Sequence, residues 1–436
     1  MSLWHGKIIQ MMRSFLPCLL ALILPLPAQA QESAQSLYDR IRPSVVVVKV
    51  ESRANQGVAS VASGFVTARP DWVVTNYHAI SDVLLEPDDH LLSIQSLQGR
   101  DAGVQILAVD VRNDLAILQL DTPLSATPLP LRETVPAKGE SGFSMGKPGS
   151  YEHSIVPGTF NGLIDERSQP NIVFSGAINA GMSGGPTLDA RGQVVGVNVA
   201  TSTQHQLIGL AVPAEALGQL LRRHANDKPP GLPALRADIA RQAGDYGRQL
   251  LGQLDLPDNS VRRLGPYNVR GDLIEGMPCS SRRQDKPGYP YTQHAQTCSN
   301  GDGLYLMDGQ YAGRIRTGTF WIRSQDLSAR AIAQLAERRL TALRDVSAED
   351  SPPGRWHCTE QRLRARFDLP VQLHACRRPV QHLAGVYDYR FRYVPLNQGP
   401  DALVVALGLS GFDDATAQGV LRKSLETLRY TPQARP

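Results

Sequence analysis

The sequence predicts a mainly β fold in its first half and an α+β region in its second. Between residue 31 and about residue 225, short Val/Ile/Leu-rich runs recur, among them Ser44–Lys49, Trp72–Thr75, Leu115–Leu120 and Gln193–Asn198. Gly, Pro, Asn and Asp separate them. Short strands at regular spacing with turn residues between them imply a β-barrel or sandwich. From Ala234 on, helix-like stretches mix with strand-like ones, and four cysteines fall into two close pairs.

The first thirty residues differ in kind. Lys7 and Arg13 lie ahead of or at the edge of an apolar run, Phe15 to Leu26, and Ala28-Gln29-Ala30 offers the small-x-small pattern of a signal-peptidase site. The run contains Pro17 and Pro25 and is too short to span a bilayer well. Residues 1–30 therefore read as a signal peptide cleaved after Ala30, with an uncleaved anchor as the competing reading. Cleavage would place the mature chain in the periplasm or outside the cell. No later stretch is long enough for a transmembrane span.

Length and charge narrow the function classes. A chain of 436 residues can hold two or three domains. The formal net charge is +4, with 45 basic and 41 acidic side chains. No long basic block is present, so nucleic acid is not an expected partner.

The elements follow in order. Residues 31–225 make up the β region. Pro213–His224 reads as a helix with Leu217, Leu220 and Leu221 on one face. Residues 226–233, rich in proline, read as a linker. Residues 234–436 form the C-terminal α+β region. A helix is expected over Ala234–Leu254, although Gly244, Gly247 and Gly252 weaken it.

Beyond that helix the sequence repeats with a period of roughly 80 residues, the scale of a small module. The copies lie at about 265–344 and 355–430. Cys279 and Cys298 precede Gly303-Leu-Tyr305; Cys358 and Cys376 precede Gly385-Val-Tyr387. Each copy closes on a helix-like segment, Asp326–Arg344 and Asp413–Arg429, opened by an aspartate able to cap it. An even number of cysteines in an exported chain implies disulfides, and two local pairs are the simplest of three connectivities. Zinc is the rival reading, because His294, His357 and His374 lie nearby, but the ligand spacings of structural zinc sites are absent. Tyr387, Tyr389, Phe391 and Tyr393 alternate with charged residues. This strand has one aromatic face, which fits a core better than a surface for single-stranded nucleic acid or glycan.

The chemistry concentrates in Ala177–Gly192, AINAGMSGGPTLDARG. Glycines around Ser183 allow a tight turn in which neighbouring N–H groups converge. Such a turn suits a serine nucleophile, which needs a base, a group to hold that base and donors for an oxyanion. A tight turn with an incidental serine is the alternative. Two further stretches supply partners. Val73–Ile80 places His78 just after an apolar strand, and Val109–Leu118 places Asp114 just before one.

Taken together, these motifs resemble the trypsin-like serine proteases, specifically the bacterial HtrA/Deg group, over about residues 37–222. The resemblance rests on Pro43-Ser-Val-Val, Ala62-Ser-Gly-Phe65, Val74-Thr-Asn-Tyr-His78, Arg112-Asn-Asp114-Leu-Ala, Ala177–Pro186 and Ile208–Pro213. It implies a chymotrypsin-like fold of two six-stranded β-barrels with the active site between them. It implies Ser183 as nucleophile, His78 as general base and Asp114 as its orienting partner. The oxyanion hole would be the N–H groups of Gly181 and Ser183, and no metal or organic cofactor is implied. Met182 departs from the pattern, since digestive relatives carry aspartate there and HtrA-type enzymes often asparagine.

Ala177 and Ile178 are expected to line a small apolar specificity pocket. Asn198, Val199 and Ala200 are expected to face the substrate backbone. The expected function is an exported serine endopeptidase acting on proteins or peptides and cutting after small apolar residues. The alternatives are a protease-fold binding protein, or a C-terminal module that binds an envelope protein partner with the protease as its effector.

Overall fold

The fold is taken from a computed structural model. It describes residues 33–431 except 56, 97–100, 150, 165–168, 202–207, 255–260, 271, 275, 285–287, 302, 343–354, 365–368 and 397–400. The signal-peptide reading of residues 1–30 lies outside the described residues.

Two β structures fill the first half. Helix α1 (Ala34–Ile41) is capped by Ser33, whose hydroxyl accepts the Ser36 N–H, and it buries Leu37 and Ile41. Then come β1 (Val45–Ser52), β2 (Val58–Val66), β3 (Trp72–Thr75), helix α2 (Ser81–Leu85), β4 (His90–Gln95), β5 (Asp101–Ala102), β6 (Val104–Asp110) and β7 (Leu115–Leu120). They pair antiparallel in the order β5-β4-β1-β2-β3-β7-β6. The sequence resemblance implies six strands here; the two-residue β5 adds a seventh by pairing with the end of β4.

The second structure is a closed six-stranded barrel. Its strands are β8 (Ser141–Gly146), β9 (Ser154–Ile164), β10 (Asn171–Phe174), β11 (Pro186–Asp189), β12 (Val194–Thr201) and β13 (Gly209–Pro213). Helix α3 (Ala214–Arg223) follows, burying Leu217, Leu220 and Leu221 as its spacing predicts.

The C-terminal region opens with helix α4 (Leu232–Gly252). Its three glycines do not break it, because packing decides: Gly244 and Gly247 lie on the buried face, and Gly247 sits close to the Phe412 ring. A small sheet joins β14 (Arg262–Leu264) and β15 (Tyr267–Val269) to β25 (Arg429–Tyr430). The main strands are β16 (Cys279–Gln284), β17 (Thr292–Ser299), β20 (Arg314–Arg323), β21 (His357–Arg364), β22 (Pro370–Pro379), β23 (Tyr387–Pro395) and β24 (Asp401–Phe412). A separate hairpin, β18 (Leu304–Met307) and β19 (Gln310–Ala312), is inserted between β17 and β20.

The seven main strands form one antiparallel sheet in the order β16-β17-β20-β24-β23-β22-β21. Both sequence copies thus merge into a single sheet through the β20–β24 pairing. Each outer hairpin carries a disulfide between directly opposed residues, Cys279–Cys298 and Cys358–Cys376, with Cα atoms 4.1 and 4.0 Å apart. These are the two local pairs.

Strand β24 is apolar on both faces because both are covered. Ala402, Val404 and Ala406 pack with Ile332 and Ala336 of helix α5 (Ala329–Ala342). Leu403, Val405, Leu407 and Leu409 join the cluster containing Ala417, Val420 and Leu421 of helix α6 (Asp414–Glu426). Asp413 caps α6 by accepting the Thr416 N–H at 2.7 Å. At α5 the cap is Ser328, whose hydroxyl accepts the Ala331 N–H at 3.2 Å, and not the Asp326 that the sequence suggests. The aromatic face of β23 is core: Tyr389, Phe391 and Tyr393 are buried, and the Tyr393 hydroxyl meets Ser424 Oγ at 2.8 Å.

The first structure is a half-barrel, open between β5 and β6 where the resemblance implies a closed barrel, and the C-terminal region packs against this first barrel. One continuous apolar cluster joins Val46, Val48, Ile80, Leu84 and Leu118 of that barrel to Leu235, Ile239 and Leu250 of α4 and to Leu304 and Leu306 of the hairpin.

Candidate active site

His78 and Asp114 come from adjacent loops at the ends of β3 and β6. Four hydrogen bonds join the loops. The Asp114 carboxylate accepts the His78 backbone N–H at 2.8 Å and His78 Nδ1–H at 2.7 Å. The Asp114 carbonyl accepts Asn76 Nδ2–H at 2.9 Å and the Tyr77 N–H at 3.2 Å. Asp114 sits at φ 53°, a left-handed conformation that costs a non-glycine residue energy and is tolerated where surrounding bonds fix it. Asp110 sets the turn before it, accepting the Asn113 N–H at 3.0 Å. With Nδ1–H given to the carboxylate, Nε2 is the nitrogen left to act as a base.

Ser183 lies on the turn before β11. Two glycines explain how it reaches the first barrel. Gly181 has φ 91°, and a Cβ there would strike the Lys147 carbonyl. Gly184 has φ 82°, and a Cβ there would strike the Ser63 carbonyl and the Thr75 hydroxyl, with the Asn76 nitrogen at 3.1 Å. The serine turn therefore presses against the backbone two residues from His78. The Ser183 carbonyl accepts the Ser63 N–H at 2.8 Å, and Ser63 Oγ donates to the Gly181 carbonyl at 2.7 Å. The Ser183 hydroxyl itself points to the Val199 carbonyl, 3.3 Å away. Among the described residues, neither the Gly181 nor the Ser183 N–H has an acceptor.

Met182 anchors the turn as an apolar plug. It is fully buried among Phe160, Ile172, Phe174, Ile178 and Val195. A charged aspartate at this position would lie in an apolar cluster, which accounts for the departure from the digestive pattern.

The remaining residues expected to meet substrate separate into two groups. Ala177 and Val199 are partly exposed. Ile178 and Asn198 are buried. Asn198 is a buried hub: its amide donates to the Met145 and Met182 carbonyls at 3.0 and 3.1 Å, and its oxygen accepts Ser144 and Thr187 hydroxyls. Its side chain thus ties β8 and the serine turn to β12 and does not face the cleft. Ala200 pairs with Leu210 through β12–β13.

Three features escaped the sequence reading, and all come from the C-terminal region. Gln242 of α4 donates to the Val109 carbonyl and accepts the Val111 N–H, each at 2.9 Å, at the end of the strand leading to Asp114. Arg236 of α4 donates to the Leu84 and Leu85 carbonyls at 2.7 and 3.1 Å, closing the C-terminus of α2. The β18–β19 hairpin sets Tyr305 edge-on to the His78 ring, centroids 6.2 Å apart. The hairpin had a readable signal, Asp308-Gly309 directly after the apolar run Leu304–Met307.

Burial pulls the His78 pKa down, but the charge and hydrogen bond of Asp114, helped by the charge of Asp308, more than offset it and leave it above the ordinary histidine value. Among the described residues, one group has metal-ligand proximity, Cys358, His374 and Cys376. Both cysteines are in the disulfide, so neither offers a thiolate. His294 stacks on Trp321, centroids 4.9 Å apart, and His357 lies exposed on β21.

Residues 62–197 match the family model of the trypsin-like peptidase domain. The chain is 29% identical over 231 residues to protease Do-like 1, chloroplastic, of Arabidopsis thaliana, covering 50% of this chain and 47% of the relative. It is 30% identical over 195 residues to protease Do-like 5, chloroplastic, of the same plant, covering 39% and 60%. It is 26% identical over 301 residues to the periplasmic pH-dependent serine endoprotease DegQ of Escherichia coli K12, covering 59% and 63%. The chain thus spans between 47% and 63% of the length of these three relatives.

Proposed function

Because the chain carries a trypsin-like peptidase domain similar to those of HtrA and Deg proteases, we propose that it is a serine endopeptidase, exported after cleavage at Ala30. The observation that carries the reading is the His78–Asp114 pair, 2.7 Å apart, beside a serine turn with two N–H groups that have no acceptor among the described residues. The mechanism follows from this arrangement. The Ser183 hydroxyl turns from the Val199 carbonyl toward His78 Nε2, gives up its proton there and attacks the substrate carbonyl carbon. Asp114 holds the imidazole tautomer and stabilises the imidazolium. The N–H groups of Gly181 and Ser183 take the oxyanion, each worth about 3 kcal/mol by analogy with other such sites. Collapse breaks the C–N bond, and His78 returns the proton to the leaving amine. Water then repeats the sequence and releases the acid.

Preference for small apolar residues before the cut rests on Ala177, which places no charge at the pocket. The test is casein cleavage by residues 31–436 beside Ser183→Ala, with N-terminal sequencing of the products. Cleavage is expected from the parent and not from the variant. Equal cleavage by both would overturn the mechanism, and cuts after Lys or Arg would overturn the preference.

A further inference from the structure

We propose that the β18–β19 hairpin of the C-terminal region is a working wall of the catalytic centre, with Tyr305 as a positioning residue for His78 and Asp308 as the anchor of Tyr305. The proposal rests on the serine-protease reading above.

His78 is held at one ring nitrogen by Asp114, which leaves the imidazole free to rock about that bond. Its side chain is still 32% exposed. Tyr305 closes one of the open sides, its ring perpendicular to the imidazole at 86°. The phenol is itself fixed. Its hydroxyl donates to Asp308 Oδ1 at 3.0 Å.

The hairpin cannot slide relative to the histidine. Tyr77, next to His78 in the chain, is fully buried and donates its hydroxyl to the Leu306 carbonyl at 2.8 Å. Tyr305 and Leu306 are neighbours on β18, so this bond sets the height of Tyr305 against His78. At the base, Gly313 has φ 73°, and a Cβ there would collide with the Tyr246 ring of α4. At the tip, Gly309 has φ 72° and completes the Asp308-Gly309 turn.

The wall excludes water from one side of the imidazole, which strengthens its bond to Asp114. It also brings a charge. The carboxylates acting on His78 are Asp114 from its own barrel and Asp308 from the hairpin. Asp82 of α2 acts on the phenols of Tyr77 and Tyr305; its own carboxyl is pushed up chiefly by burial, with His90 pulling it down and Asp308 pushing it up. Both phenols are pushed above their ordinary value, chiefly by burial, and stay neutral. Removing the Asp308 charge therefore lowers the His78 pKa. Neutral base then survives to lower pH.

The experiment uses the full mature chain and three variants, Asp308→Asn, Tyr305→Ala and Tyr305→Phe. One readout is the rate of Ser183 labelling by a fluorophosphonate across pH 5 to 9. The other is the NMR titration of the His78 ring, assigned with His78→Gln, which needs no activity. Asp308→Asn is expected to move the acid limb of labelling and the His78 titration together to lower pH. Tyr305→Ala is expected to lower the plateau labelling rate about tenfold or more, as misplacement of a catalytic group does, while Tyr305→Phe, which keeps the ring but loses its anchor to Asp308, is expected to fall between that variant and the parent. Labelling with an unmoved titration in Asp308→Asn would overturn the proposal alone, as would a Tyr305→Ala rate equal to or above the parent's. No labelling of the parent at all would overturn the protease reading, and this proposal with it.

Discussion

The serine turn closes on its own barrel: Met182 is buried among Phe160, Phe174 and Val195, and Asn198 of β12 holds the turn through the Met182 carbonyl. The His78–Asp114 half leans elsewhere. Its barrel shares an apolar cluster with α4 and the β18–β19 hairpin; Gln242 bonds to the end of β6, Arg236 to α2, and Leu306 to Tyr77 beside His78. One half of the cleft is thus self-supporting, and the other is completed by chain more than a hundred residues downstream. The difference shows that the C-terminal region packs as part of one body with the trypsin-like domain and is not a tethered appendage.

The largest expected effect comes from removing that region. A chain ending at residue 225 would expose the side of the first barrel that packs against Leu235, Ile239 and Leu250. Apolar burial is the main favourable term in folding, so this loss should abolish a cooperative thermal transition and raise binding of a hydrophobic dye. A truncated chain that melts cooperatively and is labelled at Ser183 at the parent's rate would break the comparison.

The next effect lies in the other half. Met182→Asn would place an amide in an apolar cluster and remove the methionine's contacts. About 2–4 kcal/mol of stability should be lost, read by urea unfolding. The serine turn should be the part that loosens, so labelling of Ser183 should slow while the His78 titration stays where it was. A shift of the His78 titration would show that the halves are coupled.

The activity of the intact protein should also carry the sign of its histidine. The His78 pKa is above the ordinary value, and in the proposed mechanism the neutral form is the base. Activity should therefore rise with pH through a midpoint above the ordinary histidine value, and fall away below it as the imidazole takes up a proton. A pH–rate profile for kcat/KM checks this, and a midpoint below the ordinary value would contradict the geometry around Asp114 and Asp308.

How much of this was legible in the sequence follows the same division. His78, Asp114 and Ser183 could be singled out as candidates because each lies in a short local pattern, a strand end or a glycine turn, whose chemistry is visible without the fold. Both disulfides were legible because 19 and 18 residues suit a hairpin closed between opposed strands. The inward turn of Asn198 and Ile178 was not legible, because which face of a strand or loop meets the core is set by the barrel as a whole. Nor could Gln242 or Tyr305 be assigned. Gln242 lies 131 residues from Val111, and Tyr305 lies 227 residues after His78. Contacts at that separation leave no periodicity in the chain, and a linker-like stretch at 226–233 points away from them.

The smallest predicted effect tests the support of Asp114 directly. Gln242→Ala removes one donor and one acceptor together, leaving the Val109 carbonyl and the Val111 N–H without their side-chain partner. Unpaired main-chain groups of this kind cost about 1–3 kcal/mol, and partial access of water to this loop puts the expected loss near the lower end. The Asp114 turn begins at the Val111 carbonyl, which accepts the Asp114 N–H at 3.4 Å. Loosening Val111 should therefore weaken the carboxylate's hold on His78 before it disturbs the serine turn. A modest fall in kcat with unchanged KM, together with a lowered His78 titration, would place the effect on the base. An equal loss of stability with kcat and the His78 titration both unchanged would make Gln242 a packing residue only, and would confine the support of the His78–Asp114 half to α2 and the hairpin.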